Sequence, residues 1–472
     1  MARRLLGVLL LLLAPALAAA DPVDDYIRAE MQKRQIPGLA LAVVRNGAVV
    51  KLQGYGMANL EHDVPVTPDT VFELASVTKQ FTATTIMLLV EEGKVRLDEP
   101  IATYLTGTPE TWKAITVRHL LTHTSGLPSL EENFKSLWPG GLRLRYTTAQ
   151  MFESATKDAL SFAAGERFQY SDVGYFLLGM IIERVSGKRY AEFLDERFFR
   201  PLGMTSSSVL DHARVLKHRA AGYTLVNGKV VNIRRVIDVE LPSHYGVFSS
   251  VKDLVTWDAA LAAGRVVKPE SLAQMWTPMR LTYGGRFPYG FGWDVTERRG
   301  HRWLNHLGIT GTEYARFPDD GLTVIVLGNL GRNIGGPPVN AWGLPYGVAG
   351  RYIPGLHVGP QAPEPDPDPA ATTALRGALE RLGRGETEPR LVPARMSYVS
   401  PVGRRILADR MRTLHSFTFV TCDDTRAQPL ERYGEPVSRV CHYRLINAYD
   451  THYYSFWLLP DGRIADLWSS TE

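Results

Sequence analysis

Two hairpin-like stretches near opposite ends of residues 21–359 constrain the fold of this chain more than any other feature. The segment IPGLALAVVRNGAVVKLQGYGMAN, residues 36–59, has apolar runs on both sides of Asn46-Gly47, a pair that favours a tight turn between antiparallel strands. The segment YARFPDDGLTVIVLGN, residues 314–329, has a similar form around PDDG. Helical patterns alternate with short strand patterns between them. The sequence therefore predicts an α+β fold, an antiparallel sheet flanked by helices with a helical subdomain.

The first twenty residues have the pattern of an export signal. Arg3 and Arg4 precede the apolar run Leu5–Leu13, and the small residues Ala18–Ala20 precede Asp21. The apolar run is too short to cross a membrane as a mature helix, and no cysteine follows it to carry a lipid. We therefore expect residues 1–20 to be a signal peptide and the mature protein to be periplasmic or secreted, without a stable membrane anchor.

A proline-rich segment divides the remaining chain. GPQAPEPDPDPAATT, residues 359–373, contains five prolines with acidic spacers, a composition that favours an extended linker. Beyond it, one amphipathic helical pattern is followed by the strand-like runs SFTFVTC, VCHYRLINA, YYSFWLLP and GRIADLWSS. The predicted domains are thus residues 21–359, a linker at 360–370, and a small α+β accessory domain at 371–472. Trp457 and Trp468 are interpreted as core residues of that domain.

Charge and cysteine content exclude several classes of function. The net charge of +4 is small for 472 residues and the basic residues are scattered, so we expect no nucleic-acid partner. The sequence has no clustered cysteine and histidine ligands and no HExxH motif, so we expect no metal and no cofactor. Cys422 and Cys441 are compatible with a disulfide after export or with two buried thiols.

Three Ser-x-x-Lys pairs occur, and two of them have structural explanations. Ser154 and Lys157 lie within a helix that Thr147 or Thr148 caps, where we expect the serine on the surface. Ser249 and Lys252 lie where Ser250 and Asp253 predict a capping box. Neither context indicates a nucleophile.

Ser76 and Lys79 lie in a different context, at the start of SVTKQFTATTIMLLVEEG. The apolar block of this segment predicts a buried helix, on which the two side chains share one face. Ser76 has a structural interpretation as the helix cap. Alternatively, the helix start supplies main-chain N–H groups for an oxyanion, and a desolvated Lys79 has a lowered pKa and accepts a proton from the serine.

The order of these motifs resembles the serine β-lactamase and penicillin-binding protein family. SVTK at Ser76, YSD at Tyr170 and HLG at His306 follow the order of the family elements SxxK, YxN and KTG. The similarity is greatest to class C β-lactamase-related serine hydrolases, which include D-alanyl-D-alanine carboxypeptidases and esterases. LLTHTSGLP at 120–128 and YGFGW at 289–293 also look like this group. The resemblance covers residues 21 to about 329 and implies a β-lactamase/transpeptidase-like fold.

The resemblance gives Tyr170 and Lys79 a shared role in moving the proton of Ser76. A nearby cation stabilises a phenolate, so we expect Lys79 to ease the loss of the Tyr170 proton. Asp172 replaces the usual asparagine at the substrate-binding position: it can accept a hydrogen bond from Lys79 but cannot donate one to a substrate carbonyl. An equally simple interpretation makes Asp172 the N-cap of the following helix.

The third motif supplies the remaining candidate site residues. By resemblance, the main-chain N–H of Ile309 joins that of Ser76 in an oxyanion hole. Gly308 is expected to leave room for the substrate against a strand edge. His306 replaces the lysine of KTG, and a neutral imidazole attracts a substrate carboxylate less than an ammonium does. This favours an ester or a peptide over a β-lactam, although a histidine in a strand also has a structural interpretation.

The sequence thus predicts an exported serine hydrolase that forms an acyl-enzyme at Ser76 with a small-molecule or peptide substrate. A D-alanyl-D-alanine carboxypeptidase or an esterase is favoured over a dedicated β-lactamase. The alternative is a catalytically weak penicillin-binding-like protein that binds or senses. His123 and Ser125, in LTHTSGL, are interpreted as a turn after a helix and not as a catalytic pair.

Overall fold

The computed structural model describes residues 21–128, 146–233, 239–331, 342–357, 362–393, 401–425, 430–448 and 451–470. The predicted signal peptide lies outside these ranges, as do residues 360 and 361 of the predicted linker. Helices and antiparallel sheets make up the described ranges, which confirms the predicted α+β class.

The elements alternate along the chain as the sequence patterns predict. The α-helices are α1 (Pro22–Arg34), α2 (Thr78–Glu91), α3 (Val117–Leu121), α4 (Thr148–Lys157), α5 (Asp172–Ser186), α6 (Tyr190–Leu194), α7 (Arg200–Leu202), α8 (Val251–Ala262), α9 (Pro269–Met275), α10 (Leu344–Ala349), α11 (Pro369–Gly383) and α12 (Pro401–Arg412). The strands are β1 (Gly38–Arg45), β2 (Ala48–Asn59), β3 (Val64–Pro65), β4 (Phe72–Glu73), β5 (Ser208–Val209), β6 (Tyr223–Val226), β7 (Lys229–Asn232), β8 (Val247–Ser249), β9 (Met279–Arg280), β10 (Arg286–Phe287), β11 (Asp294–Arg298), β12 (His301–Gly308), β13 (Thr312–Phe317), β14 (Leu322–Gly328), β15 (Leu414–Asp424), β16 (Leu430–Arg432), β17 (Glu435–Val437), β18 (Arg439–Asn447), β19 (Thr451–Leu458) and β20 (Ile464–Ser470).

The main sheet brings together the two ends of residues 21–359, the predicted hydrolase domain, which is called the hydrolase region below. Its strand order is β11-β12-β13-β14-β1-β2-β3, and all of its pairs are antiparallel. Both predicted hairpins are confirmed. Asn46 and Gly47 have φ values of 50° and 79°, the left-handed conformation that a tight hairpin turn requires. Gly321 ends the PDDG turn with φ of 59°.

Strand β1 shows how side-chain size matches the two faces of the sheet. Ala40 and Ala42 belong to the core that α2 and α8 cover, where their small side chains let the helices approach closely. Leu39, Leu41 and Val43 belong to the core that α1 and α10 cover. Since all five residues are fully buried, β1 has an apolar layer on each side.

Helix α2 is the buried helix that the sequence predicts. Residues from Thr78 to Met87 are all buried, and Phe81 stacks on Trp257 of α8 with ring centroids 4.4 Å apart. The threonine hydroxyls are satisfied internally, because Thr84 and Thr85 donate to the carbonyls of Gln80 and Phe81. Within the described ranges, no helix combines the length and apolar composition needed to cross a bilayer.

The C-terminal region has a sheet and a core of its own. Strands β15, β18, β19 and β20 form a sheet in the order β15-β18-β19-β20, in agreement with the four strand-like runs. Leu379 of α11, Leu445 and Phe456 are fully buried in its core. Helix α11 starts at Pro369, within the predicted linker, and the side chain of Asp368 caps it. The division into domains otherwise stays a prediction.

Cys422 and Cys441 form a disulfide between neighbouring strands. They are directly opposed in the β15–β18 register and lie 19 positions apart in the sequence. The structure therefore selects the disulfide over the two buried thiols that the sequence left possible. The bridge closes a loop that includes the β16–β17 hairpin.

Removing this disulfide is expected to destabilise the C-terminal region. Closing a loop of this length lowers the entropy of the unfolded chain by an amount worth about 3 kcal/mol. The variant with both Cys422→Ser and Cys441→Ser should unfold at a lower denaturant concentration, as measured by tryptophan fluorescence. Wild-type protein in reductant should behave in the same way. Two titratable thiols in native, unreduced protein would contradict the disulfide.

An aromatic cluster joins the C-terminal region to the hydrolase region. Phe168 and Phe287 stack with centroids 3.9 Å apart, and Tyr433 of the C-terminal region contacts Phe287 at 5.6 Å. Trp457 is buried in the same cluster, which confirms its interpretation as a core residue, whereas Trp468 is only partly buried. We refer to the buried residues of this cluster as the junction cluster: Phe168, Met279, Leu281, Phe287, Tyr289, Val392, Tyr433, Val437, Val440, Trp457, Leu459 and Ala465. Tyr170 packs against it.

Candidate active site

Ser76 lies in a short 3₁₀ turn, Ala75–Val77, that leads directly into α2. The residue before it, Ala75, has φ of 48°, a left-handed conformation that costs a residue with a side chain roughly 1–3 kcal/mol. Ser76 is half-buried. It caps neither the turn nor the helix, so the capping interpretation of Ser76 is wrong. Strained backbone at a partly accessible serine is a common arrangement at functional sites.

Lys79 is fully buried, and its ammonium has an acceptor for each of its three protons. Nζ lies 3.2 Å from Ser76 Oγ, 2.5 Å from Asp172 Oδ1 and 2.8 Å from the main-chain oxygen of His244. Burial lowers the pKa of Lys79, and the carboxylate of Asp172 opposes that change. The direction agrees with the expectation of a desolvated lysine.

Asp172 pairs with Lys79 and does not cap α5. The N-cap is Ser171, and Asp172 is the first helical residue, so the N-cap interpretation is wrong. Its side chain remains 30% exposed. Burial acts to raise the pKa of Asp172, but Lys79 and His244 outweigh it and lower the pKa. The carboxylate is thus the solvent-accessible partner of the ion pair, and the ammonium is the buried one.

Tyr170 adjoins Ser76 and Lys79. Lys79 Nζ lies 4.8 Å from the centroid of its ring. Its hydroxyl oxygen is buried without a well-formed hydrogen bond to any described residue, although its interaction with Ser76 acts to lower the phenol pKa. Burial and the charge of Asp172 outweigh that interaction and raise the pKa well above its ordinary value. The expectation that Lys79 would ease the loss of this proton is therefore wrong.

His306 belongs to a chain of hydrogen bonds that fixes its tautomer. Ser171 N–H donates to His123 Nδ1 at 3.1 Å, so His123 carries its proton on Nε2 and donates to Tyr289 Oη at 3.2 Å. Tyr289 then donates to His306 Nε2 at 3.0 Å, and His306 Nδ1–H donates to the oxygen of Leu307 at 2.9 Å. Burial, together with Lys79, lowers the pKa of His306 to about 3. The imidazole that replaces the motif lysine is uncharged.

The turn after β12 is fastened to the segment that leads to Ser76. Thr310 Oγ1 donates to the oxygen of Glu73 at 2.7 Å, and Thr312 Oγ1 donates to the oxygen of Leu74 at 2.8 Å. Ile309 lies within this fastened turn. A Cβ on Gly308 would come within 2.4 Å of the Leu74 oxygen, so the protein's own backbone fills the space expected for the substrate there. Gly308 thus permits close packing beside the candidate oxyanion hole.

The other two Ser-x-x-Lys pairs do not form comparable sites. Lys157 pairs with Glu153, and Ser154 is buried, so its predicted surface position is wrong. Thr147 caps this helix, as one of the two predicted caps. In the third pair, Ser249 Oγ contacts Ser207 while the exposed Lys252 pairs with Asp69.

The predicted capping box before α8 is half formed. Ser250 caps the helix by accepting from the N–H of Asp253 at 3.2 Å. The Asp253 carboxylate accepts from Ser206 N–H and from the Ser207 hydroxyl. This side chain joins α8 to the loop before β5.

Two residues of the site, His244 and Tyr289, have roles that the sequence does not indicate. His244 accepts from Lys79 through its main-chain oxygen, a role that no sequence pattern reveals. Tyr289 lies in YGFGW, a motif that resembles the family but does not indicate a role for its tyrosine. His123 is structural, as expected, and its ring lies 4.2 Å from that of Tyr170, where it supports the phenol. Ser125 Oγ accepts from Leu127 N–H in the predicted turn.

Comparison with known sequences places this site in context. The sequence profile of the family described as Beta-lactamase matches residues 23–343. Penicillin-binding protein 4* of Bacillus subtilis (strain 168) is 30% identical over 317 residues, 63% of this chain and 69% of that protein. Protein flp of Staphylococcus aureus (strain MRSA252) is 32% identical over 243 residues. The match covers 50% of this chain and 47% of Protein flp, so the chain spans about half the length of the curated relatives that it matches first.

Solved structures with the same fold extend the similarity. The octameric penicillin-binding protein homologue from Pyrococcus abyssi matches with a TM-score of 0.59 and 25% identity, covering 92% of this chain and 95% of that chain. D-amino acid amidase from Ochrobactrum anthropi SV3, solved with L-phenylalanine, has a TM-score of 0.56 and 27% identity, covering 66% and 90%. The first match extends beyond the hydrolase region into the C-terminal region.

Proposed function

The chain belongs to the beta-lactamase family of serine hydrolases, and on that premise we propose that it hydrolyses esters or amides through an acyl-enzyme at Ser76. The observation that carries the proposal is the contact between Ser76 Oγ and the fully buried Lys79, at 3.2 Å. A serine hydroxyl becomes a useful nucleophile only when a nearby group accepts its proton. Burial lowers the pKa of Lys79, which favours the neutral amine that can do so.

We assign the proton steps from the charge states that the site favours. While Lys79 is protonated, its ammonium holds Ser76 Oγ in place. Once Lys79 is neutral, its amine accepts the hydroxyl proton of Ser76 as Oγ bonds to the carbonyl carbon of the substrate. Tyr170 keeps its proton because its pKa is raised, so it is suited to protonate the leaving group. Water then attacks the carbonyl carbon of the acyl-enzyme and gives a proton to the Tyr170 phenolate. The bond to Ser76 Oγ breaks, Lys79 returns its proton to Oγ, and the acid departs with every group restored. The N–H groups of Ser76 and Ile309 are the proposed oxyanion donors.

The charges around the site support a preference among substrates. His306 is neutral, and the cation of Lys79 is paired with Asp172. The partly exposed carboxylate of Asp172 repels a substrate carboxylate and attracts an amine. These features support esters and amides as substrates, and the fold similarity to a D-amino acid amidase agrees with that class. They weigh against a dedicated β-lactamase, and also against a carboxypeptidase that must hold a free terminal carboxylate.

A matched pair of peptides tests this preference. An acetylated peptide ending in D-alanyl-D-alanine and the same peptide with a C-terminal amide differ only in one negative charge. The amide is expected to have a kcat/KM about tenfold higher, because a carboxylate near a partly exposed Asp172 costs on the order of 1 kcal/mol. The same sample is assayed with a short-chain p-nitrophenyl ester and with nitrocefin, which measure esterase and β-lactamase activity for comparison. Faster cleavage of the free acid would contradict the proposed charge preference.

A second candidate function is a protein that is acylated without turnover. The ion pair between Asp172 and Lys79 supports it, since a carboxylate favours the ammonium that cannot act as a base. Mass spectrometry with a serine-directed acylating probe separates the candidates. Stoichiometric labelling of Ser76 with no product beyond one equivalent supports the binding protein, whereas many turnovers exclude it.

Export remains part of the proposal. The pattern of residues 1–20 supports removal of a signal peptide, and the disulfide between Cys422 and Cys441 fits an oxidising compartment. A periplasmic or secreted hydrolase meets peptides, cell-wall fragments and esters from outside the cell.

A further inference from the structure

A cavity of about 360 Å³ lies between the hydrolase and C-terminal regions, apart from the Ser76 site. Its walls come from the β11–β12 turn on one side and from strands β15, β18, β19 and β20 on the other. The volume falls in the range of about 300–1,000 Å³ that is usual for small-molecule sites, which often occur at domain interfaces. The proposed hydrolase reaction uses no residue of this cavity.

Arg298 is the notable side chain of this cavity. It is only 7% exposed, and its guanidinium carbon lies 4.2 Å, 5.1 Å and 5.3 Å from the ring centroids of Trp468, Trp457 and Trp303. Its Nη1 donates to the oxygen of Glu297 at 3.2 Å. Its Nε–H is buried and has no acceptor among the described residues. A buried donor on a charged group is costly to leave without an acceptor.

The buried charges beside Arg298 do not balance. Arg432 is also buried, with 9% exposure, and lies over the ring of Trp457 at 5.2 Å. Asp466 is buried, with an oxygen 3.8 Å from Arg432 Nε, and its charge also acts on Arg298. Burial and the neighbouring Arg432 lower the pKa of Arg298 to about 10. Among the described residues, these two guanidinium groups thus share one buried carboxylate, which leaves an excess positive charge within the aromatic wall.

The other acidic groups lining the cavity are placed differently. Asp423 accepts from His442 at 2.9 Å and pairs with Arg299 at 3.2 Å. Asp424 is exposed, where solvent screens its charge, and Glu297 is half-buried. The positive excess is therefore local to Arg298 and its tryptophan neighbours.

We propose that this cavity binds a small carboxylic acid with an apolar body, held by its carboxylate at Arg298. A carboxylate matches the planar fork of a guanidinium and pairs with the charge of Arg298 from the cavity side. It also neutralises the buried positive charge. The apolar body of the ligand lies along Val440 and the exposed part of Trp468. Such a ligand bridges the two regions and stabilises their contact. The site does not depend on the chemistry at Ser76.

The test uses 4-bromobenzoate, with 4-bromobenzyl alcohol as the neutral analogue, and the full-length protein. Isothermal titration calorimetry is expected to show binding of the acid and at least tenfold weaker binding of the alcohol. Arg298→Gln should weaken binding of the acid roughly ten- to hundredfold, the worth of a hydrogen bond to a charged group. Arg376→Gln removes an exposed arginine of α11 and should leave binding unchanged. Equal affinity of wild type and Arg298→Gln for the acid would overturn the proposal.

A second measurement covers the case in which Arg298→Gln does not fold. A crystal of the wild-type protein soaked in 4-bromobenzoate reveals the bromine by its anomalous scattering. The proposal expects bromine in the inter-domain cavity and a carboxylate oxygen within hydrogen-bond distance of Arg298. Bromine only in the Ser76 cleft, or binding only at the high concentration of the soak and not in calorimetry, would sink the proposal.

Discussion

Ser76→Ala is expected to lower kcat/KM for an activated ester by about 10⁴-fold or more, the largest effect of any single substitution in this chain. Ser76 Oγ is the only atom of the proposed machinery that forms a covalent bond to the substrate. Removing a serine nucleophile from an acyl-transfer enzyme typically has effects of this order. Lys79, Tyr170 and the oxyanion donors have no nucleophile to serve in this variant. Steady-state hydrolysis of a p-nitrophenyl ester measures the loss.

The control for this substitution is Ser154→Ala. Ser154 belongs to another Ser-x-x-Lys pair and is buried in α4, so its replacement perturbs a helix without touching the site. Activity should remain within a few-fold of wild type. A serine-directed probe should add its mass to the peptide that contains Ser76 in wild-type and Ser154→Ala protein, and not in Ser76→Ala. Full esterase activity in Ser76→Ala would refute the acyl-enzyme at this residue.

Asp172→Asn is expected to move the acidic limb of the pH–rate profile to lower pH by about one to three units. The carboxylate of Asp172 acts to raise the pKa of Lys79 and also that of Tyr170. A rate that needs either group without its proton rises as the pH passes through that group's pKa. Lys79 is the proposed base, and because the substitution lowers its pKa, activity is gained at a lower pH. At a pH on the acidic limb of the wild-type profile, kcat/KM should rise by tenfold or more.

The groups around Asp172 make this profile interpretable. Lys79 contacts it from α2, and His244, His306 and Tyr170 face it from the neighbouring segments. Burial keeps the pKa of His244 at about 4 and that of His306 at about 3, below the range in which the limb is measured. Asp172→Glu keeps the charge and serves as the control. An acidic limb at the same pH in wild type and Asp172→Asn would show that the charge of Asp172 does not set it.

Local sequence patterns predicted those features that short segments determine. Asn46-Gly47 specifies a hairpin turn whatever the rest of the chain does, and the apolar block of α2 requires burial. The i, i+3 spacing of Ser76 and Lys79 places their side chains on one face once the turn and helix form. The strand runs of the C-terminal region were recognisable for the same reason.

The errors arose where distant residues decide the outcome. Asp172 was a plausible helix cap, but its partner Lys79 is 93 positions away and only the fold brings them together. The pKa of Tyr170 was predicted from its cation alone, whereas burial dominates it. Ser154 was expected on the surface because its helix has a polar face, and tertiary packing covers it. The hydrogen bond between His123 and Tyr289 spans 166 positions and has no local signature.

The junction cluster has a consequence for the order in which this protein matures. Phe168 and Tyr289, which support the Tyr170 side of the cleft, pack in one cluster with Tyr433, Trp457 and Ala465. These contacts span almost three hundred positions of chain, so they form slowly and only after synthesis of the last strand. A nascent chain that already contains Ser76, Lys79 and Tyr170 therefore lacks the finished wall of its cleft. We therefore expect the proposed chemistry at Ser76 to begin only once the C-terminal strands have packed against this wall.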